Sequence, residues 1–491
     1  MFQTLKNAWK TQELKTKLLF TLLIVILYRV GCSVPVPWVN GALVSEFFSE
    51  GFGAMQLMMG DSFSNATLFA LSVSPYITSS IIMQLLTIAI PALERMAKDG
   101  EEGKKKIAMI TRIVTMALAV ITAIGYSLTV VNSKTTTGQS LANLGGTNEV
   151  FAIAVMTACF CAGAAIVMWM AEKINEFGIG NGISIILFAN IIARLPDVFV
   201  NFKEVLIGGW VPGELVGGVI GKVINDASST NITSLIINLA WILIVSGLLI
   251  GLVWLIVWFT DSERRIPVQY AKRVVGRKMY GGQSSNLPLK LNMAGVMPVI
   301  FANSIVSIPS TLKMMLPNVD WIATVANGYF NYTKPLYVLV STILLFAFAY
   351  FYIMISFNPV EVANNIRNNG GAVPGIRPGK PTSDYIKKIL NRITFIGAVF
   401  LCVVSELPKL AVSLFQTVAE LNYVTESANP VFKAITEFYT GIDATTLSAS
   451  NSFLTVAFAG TSILIVVGVI LETVRELEAQ LTMRNYKGFL D

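Results

Sequence analysis

A chain of 491 residues that is 54% hydrophobic and only 13% charged does not have the composition of a soluble protein, in which about 25% charged residues is ordinary. It has a formal net charge of +7 and no histidine, which excludes chemistry built on an imidazole base or ligand. Its four cysteines, Cys32, Cys159, Cys161 and Cys402, all lie in apolar runs, so they read as small core residues, not as a disulfide framework.

Apolar runs long enough to cross a bilayer, on the order of 20 residues each, predict ten spans near 18–34, 75–93, 107–131, 150–170, 178–195, 234–260, 291–312, 335–357, 388–410 and 454–474. The first follows Lys6, Lys10, Lys15 and Lys17, as a signal peptide would. No small-residue cleavage site comes after it and Arg29 interrupts its end, so it reads as a retained span. The next stretch, 35–74, carries Glu46, Glu50 and Asp61 but no Lys or Arg. The run FGIGNGIS, from Phe177, has neither the preceding strand nor the following Lys-Ser/Thr of a phosphate-gripping loop, and reads as a turn into the fifth span. Two polar segments, 261–290 and 359–390, are rich in basic residues. Each is either a solvated basic loop or a docking surface for RNA or a large acidic partner.

Of the 36 Lys and Arg residues, 27 fall in one alternating set of segments: the N-terminal tail, 94–112, position 173, 261–290, 358–392 and the C-terminal tail. The positive-inside rule then places both termini in the cytoplasm. Ten spans with both ends on one side divide into two halves of opposite orientation, so span two corresponds to span seven. Those two spans share a pattern, Val73-x-Pro75-x-Ile77 and Val296-x-Pro298-x-Ile300, found at no other of the eighteen prolines. Val and Ile four apart lie on one helical face beside a ladder-loosening proline. Symmetric helices would present them as apolar rings at a central axis; two ordinary kinked helices with lipid-facing aliphatics explain the pattern equally well. The spans are nearly empty of charge, with Arg29, Arg112, Arg194 and Glu406 near predicted ends. That disfavours an ion-coupled transporter, and no paired intramembrane Asp points to a protease.

Five separated motifs make almost the whole chain resemble the SecY/Sec61-alpha family, the channel subunits of protein translocons. They are TLFALSVSPYITSSIIMQLL (67–86), WMAEKINEFGIGNGISIIL (169–187), ERRIPVQYAKRV (263–274), LKLNMAGVMPVIFANSI (289–305) and VPGIRPGKPTSDYI (373–386). The resemblance implies an all-α, polytopic fold of ten transmembrane helices, in two inverted five-helix halves that form an hourglass pore with a plug. The halves would cover 18–195 and 234–474, between cytoplasmic tails 1–17 and 475–491, with an external loop at 196–233 and docking loops at 261–290 and 358–387. Departures are Ser72, where many relatives have Gly, Thr461 at the pore wall's outer edge, and a long external segment at 411–453.

By motif, the resemblance assigns a pore ring to Val73, Ile77, Ile183, Leu187, Val296, Ile300 and Ile465. It places Gln84, Asn303 and Ser304 at a lateral gate, where they would either hold the seam by interhelical hydrogen bonds or simply pack closely. It assigns a plug to the Met-rich segment near 52–66, including Met55, Met58, Met59, Gly60, Asp61 and Phe63, for which reentrant packing is the other reading. Partner docking falls to Arg264, Arg265, Lys272, Arg273, Arg277, Lys278 and Arg377. The implied partners are SecE and SecG subunits, the SecA ATPase, the ribosome with its rRNA, signal peptides, nascent chains and lipids of the bacterial cytoplasmic membrane. No cofactor and no catalytic residue is implied.

Overall fold

The computed structural model describes residues 2–51, 61–133, 139–193, 209–211, 214–216, 247, 250–270, 273–275, 278–280, 284–315, 319–330, 335–424 and 460–487. The N-terminal part contains α1 (Phe2–Lys10), α2 (Gln12–Gly31), α3 (Gly41–Gly51), the single turn α4 (Asp61–Ser64), α5 (Ser74–Ala89), α6 (Pro91–Lys98), α7 (Gly100–Asn132), α8 (Glu149–Phe177) and α9 (Gly182–Ala193). After the small pair β1 (Gly209–Val211) and β2 (Glu214–Val216) comes α10 (Ile250–Asp261). Strands β3 (Glu263–Tyr270), β4 (Arg273–Val275), β5 (Lys278–Tyr280) and β6 (Ser284–Lys290) follow, then α11 (Met297–Val306), α12 (Ile308–Met315) and α13 (Asp320–Gly328). The chain continues through α14 (Pro335–Ser356), α15 (Pro359–Asn368), β7 (Gly371–Ala372), α16 (Lys380–Val424) and α17 (Gly460–Lys487).

A helix overlaps each of the ten predicted spans. Four stretches, Gly100–Asn132, Glu149–Phe177, Leu336–Asn368 and Lys380–Glu406, are individually long and apolar enough to cross a membrane; α5 and α6 qualify together, bent by 101° at Ile90. Leu22, Leu23, Ile113, Ile343 and Val403 leave large apolar side chains uncovered along the helices, which suits a hydrocarbon solvent in which helices satisfy their own backbone. The protein is therefore a multi-pass membrane protein. The first and last described helices pack together: Ala8 of α1 and Leu14 of α2 cluster with Leu477 of α17, and Lys17 Nζ donates to Gln480 Oε1 at 3.4 Å.

Two sequence expectations need correction. Pro75 and Pro298 do not kink their helices, because each lies in the first turn, with Val73 and Val296 as N-caps. A first-turn proline lacks only an N–H that would have been unpaired anyway. The all-α reading describes the membrane helices, but 263–290 is not a loop. There β3 and β6 form an antiparallel hairpin, and β7 adds to its edge through Gln269↔Ala372 and Tyr270↔Gly371.

The segment leading into α5 is held on several sides. A Cβ at Gly31 would overlap the Phe69 ring, and one at Gly163 would overlap the Leu68 carbonyl oxygen. Tyr28 stacks on Phe69 at 5.7 Å, and Leu68 N donates to Val34 O at 2.9 Å. The FGIGNGIS run is a turn, in which Asn181 Oδ1 accepts from Ile183 N at 3.0 Å as α9 begins. Gly163→Ala must push the Leu68 carbonyl aside, an overpacking cost of about 1–3 kcal/mol. We expect a lowered unfolding midpoint in detergent; an unchanged midpoint would show that this approach is not tight.

Candidate functional site

The two Val-x-Pro-x-Ile stretches adopt the same local structure. Val73 has φ −89° and ψ 0°, and Val296 has φ −95° and ψ −7°. The residue before each is left-handed: Ser72 at φ 48° and Gly295 at φ 61°. Helices α5 and α11 touch each other, and α9 and α17 touch each other. Val73, Ile77, Leu187, Val296 and Ile300 are buried in one apolar cluster, with Ile183 and Ile465 half-buried against it. The seven residues read as a pore ring therefore come from four helices of both halves and all belong to, or pack against, one extended apolar cluster. Thr461, a turn before Ile465, is also buried. A cluster of branched aliphatics resists water and ions by dewetting and offers no charge to a passing group.

The three residues assigned to the lateral gate spend their hydrogen bonds elsewhere. Gln84 Nε2 donates to Ser80 Oγ at 3.4 Å and Ser304 Oγ to the Ile300 carbonyl at 2.8 Å, both within their own helices. Asn303 Oδ1 accepts from Lys409 Nζ of α16 at 3.3 Å. Among the described residues, the hydrogen bonds of these three side chains run within α5 and α11 or from α16 to α11.

That bond belongs to a buried ionic network. Lys409 Nζ lies 3.0 Å from Glu406 Oε1, with side chains 12% and 5% exposed. Ser341 Oγ of α14 donates to Glu406 Oε2 at 2.6 Å, Ser405 Oγ donates to Oε1 at 3.2 Å, and the Tyr337 ring faces the ammonium at 5.6 Å. In the sequence Glu406 is a charge near a span end, and Lys409 three residues on, a helical spacing for ion pairs, is the signal of the pair.

Of the residues the resemblance assigns to a plug, Met55, Met58, Met59 and Gly60 lie outside the described residues, and Asp61 opens α4. Phe63 is fully buried in a different apolar cluster, against Phe48 and Tyr126, whose hydroxyl donates to the Phe63 carbonyl.

On the docking side, Lys272 and Arg277 lie outside the described residues, while Arg273 and Lys278 sit on β4 and β5, paired through Arg273↔Tyr280 and Val275↔Lys278. Arg264, Arg265 and Arg377 are exposed, Arg265 with Glu263 at 2.6 Å. Both basic segments share one core, in which Ile266, Val268 and Leu289 of the hairpin pack on Ile366, Val373 and Ile386. In place of two separate loops there is one packed unit, and the strand signal in the sequence is the every-second-residue spacing of Ile266 and Val268 and of Leu287 and Leu289. At the hairpin base, Arg475 of α17 donates to Thr260 O and Asp261 Oδ1, each at 2.9 Å. Burial, with Arg475 nearby, pushes the Lys290 ammonium below its ordinary value. Among the described residues no group of acidic or cysteine side chains is placed to hold a metal.

Comparison with known proteins gives one consistent result. The SecY family model matches residues 67–474. The chain is 37% identical over 503 residues to the protein translocase subunit SecY of Streptomyces galbus, and 36% identical over 505 residues to that of Mycobacterium tuberculosis H37Rv, covering 100% of both chains in each case. Its fold is similar to that of a solved protein-conducting channel, with a TM-score of 0.60 at 16% identity, covering 95% of this chain and 92% of that one. It is also similar to Sec61 in the canine ribosome–channel complex, with a TM-score of 0.57 at 15% identity over 95% of this chain and 92% of that one.

Lys409→Met leaves Glu406 buried without its counter-charge, which is expected to destabilise the protein by about 3–5 kcal/mol. Adding Glu406→Gln should restore most of that loss. Unfolding in detergent measures both; a double variant no better than the single would show that the two groups are not coupled.

Proposed function

This chain belongs to the SecY family, and we propose that it is a passive protein-conducting channel through which unfolded secretory polypeptides cross the bacterial cytoplasmic membrane. It is a channel and not an enzyme. The single observation that carries this reading is the apolar cluster to which four helices contribute branched aliphatics, two of them at the repeated Val-x-Pro-x-Ile positions. A ring of this kind would close over water and ions when empty, yet part around a chain of any sequence, because it holds no fixed charge or hydrogen-bond donor. The contact between α5 and α11 is the natural seam for a signal sequence or a new membrane span to reach lipid. Segment 52–66 fills the role of a plug in this reading, and one of the structural relatives is a SecY channel whose plug stabilises the closed state.

The driving force comes from partners. The hairpin and the α15–α16 connection expose Arg264, Arg265 and Arg377 to solvent and share one core, which suits an acidic motor surface or ribosomal RNA. The canine relative is ribosome-bound, and this chain's face would receive the ribosome during membrane insertion and the SecA ATPase during secretion, with SecE and SecG subunits completing the complex. The packing of α1 on α17 and the distribution of basic residues support cytoplasmic termini.

Arg377 is exposed, and its carbonyl accepts from Thr382 Oγ1 at 2.9 Å. Arg377→Glu should therefore abolish SecA-driven protection of a secretory protein from added protease in reconstituted vesicles, while leaving the unfolding midpoint unchanged. Wild-type transport by this variant would remove Arg377 from the docking face.

A further inference from the structure

Beside the constriction, three elements meet in a closed ring of hydrogen bonds. Tyr28 of α2, Ser72 just before α5 and Asn190 of α9 are 0%, 2% and 4% exposed. Tyr28 Oη donates to Asn190 Oδ1 at 2.8 Å, Asn190 Nδ2 donates to Ser72 Oγ at 3.0 Å, and Ser72 Oγ and Tyr28 Oη are 3.1 Å apart. With the tyrosine proton directed to Asn190, the serine proton goes to the tyrosine oxygen, so each member donates once and accepts once. Each bond of the ring pairs one donor with one acceptor, and losing one member strands the groups that faced it in an apolar interior.

The backbone shows that Ser72 is there for its side chain. Its φ of 48° lies in the left-handed region, where a side chain is disfavoured. The corresponding position of the other half is Gly295 at φ 61°, where a Cβ would meet nothing within 4 Å. Both halves thus use the same backbone turn before Val-x-Pro-x-Ile. One makes it with glycine in open surroundings, the other with a serine bonded to two helices.

The three residues also flank the constriction. Ser72 directly precedes Val73, whose carbonyl accepts from Ile77 N at 2.9 Å. Leu187 and Ile183 lie one and two turns before Asn190 on α9, on the same helical face. We propose that Tyr28, Ser72 and Asn190 act together as a clasp that positions Val73, Ile77, Ile183 and Leu187, and so sets how tightly the empty channel excludes small solutes. The clasp rests on the channel reading above. It makes the N-terminal half the fixed side of the constriction, while the C-terminal half closes against it without an equivalent polar tie at Gly295.

The test is leakage of a small anionic dye from vesicles containing the full chain with its partner subunits, in the absence of any transported polypeptide. Tyr28→Phe and Ser72→Ala should each raise the leak by up to about tenfold, the factor by which losing one buried hydrogen bond shifts an equilibrium. The double variant should leak no more than the leakier single, because both break one unit. Ser72→Gly should leak like Ser72→Ala although its backbone suits the turn better. Leu22→Ala, on the outward face of α2, should leak like wild type. Singles as tight as wild type would overturn the clasp, as would a tight Ser72→Gly beside a leaky Ser72→Ala, which would make the backbone turn the determinant. SecA-driven transport by the wild-type vesicles is measured in parallel. Transport with unchanged leak in the variants defeats the clasp alone, whereas absence of transport defeats the channel reading.

Discussion

Helices that begin deep inside an apolar interior must do so without leaving orphan N–H groups, and the contact of α5 with α11 depends on meeting that constraint. The first turn of a helix carries unpaired donors, and in hydrocarbon each is costly. Proline at the second position of both helices removes one donor, and the N-cap valines contribute carbonyl acceptors and apolar side chains at once. Val73, Ile77, Val296 and Ile300 can then crowd together where a polar cap residue would have introduced a hydrogen-bonding group. The left-handed residue ahead of each valine turns the chain sharply enough for the helix to start at the contact.

Polar chemistry is kept to the flanks of that contact. The Glu406–Lys409 pair and its partners tie α11, α14 and α16 together, and the Tyr28–Ser72–Asn190 ring ties α2, the approach to α5, and α9. Both networks satisfy nearly all their donors and acceptors, which is what lets such groups persist in a low-dielectric interior. The aliphatic cluster between them remains uncharged. The hairpin is tied to the same framework, since Arg475 joins its base to the helix that carries Ile465.

How much of this was legible in the sequence depended on whether the signal was periodic or conformational. The spans were legible because twenty apolar residues in a row have few other meanings. The correspondence of spans two and seven was legible in Val-x-Pro-x-Ile, but the role of its proline was not: a shift of a few residues in the helix start converts a kink into a first turn. The hairpin was hidden because Ile266 and Val268 are outnumbered by neighbouring charges, and its union with the 371–393 region is a tertiary fact. Ser72 stood out as a departure from glycine, yet only its backbone angle and its two partners give that departure a meaning.

The central claim, that the four-helix apolar cluster is the path of the polypeptide, is tested most directly by site-specific photocrosslinking. Probes at Ile77, Ile300 and Ile465 would be activated while a secretory protein is stalled during SecA-driven transport in vesicles, with a control probe at the outward-facing Ile343. The account predicts that all three cluster positions capture the transiting chain and that the control does not. Transport that proceeds with no capture at any of the three would contradict it and place the path elsewhere.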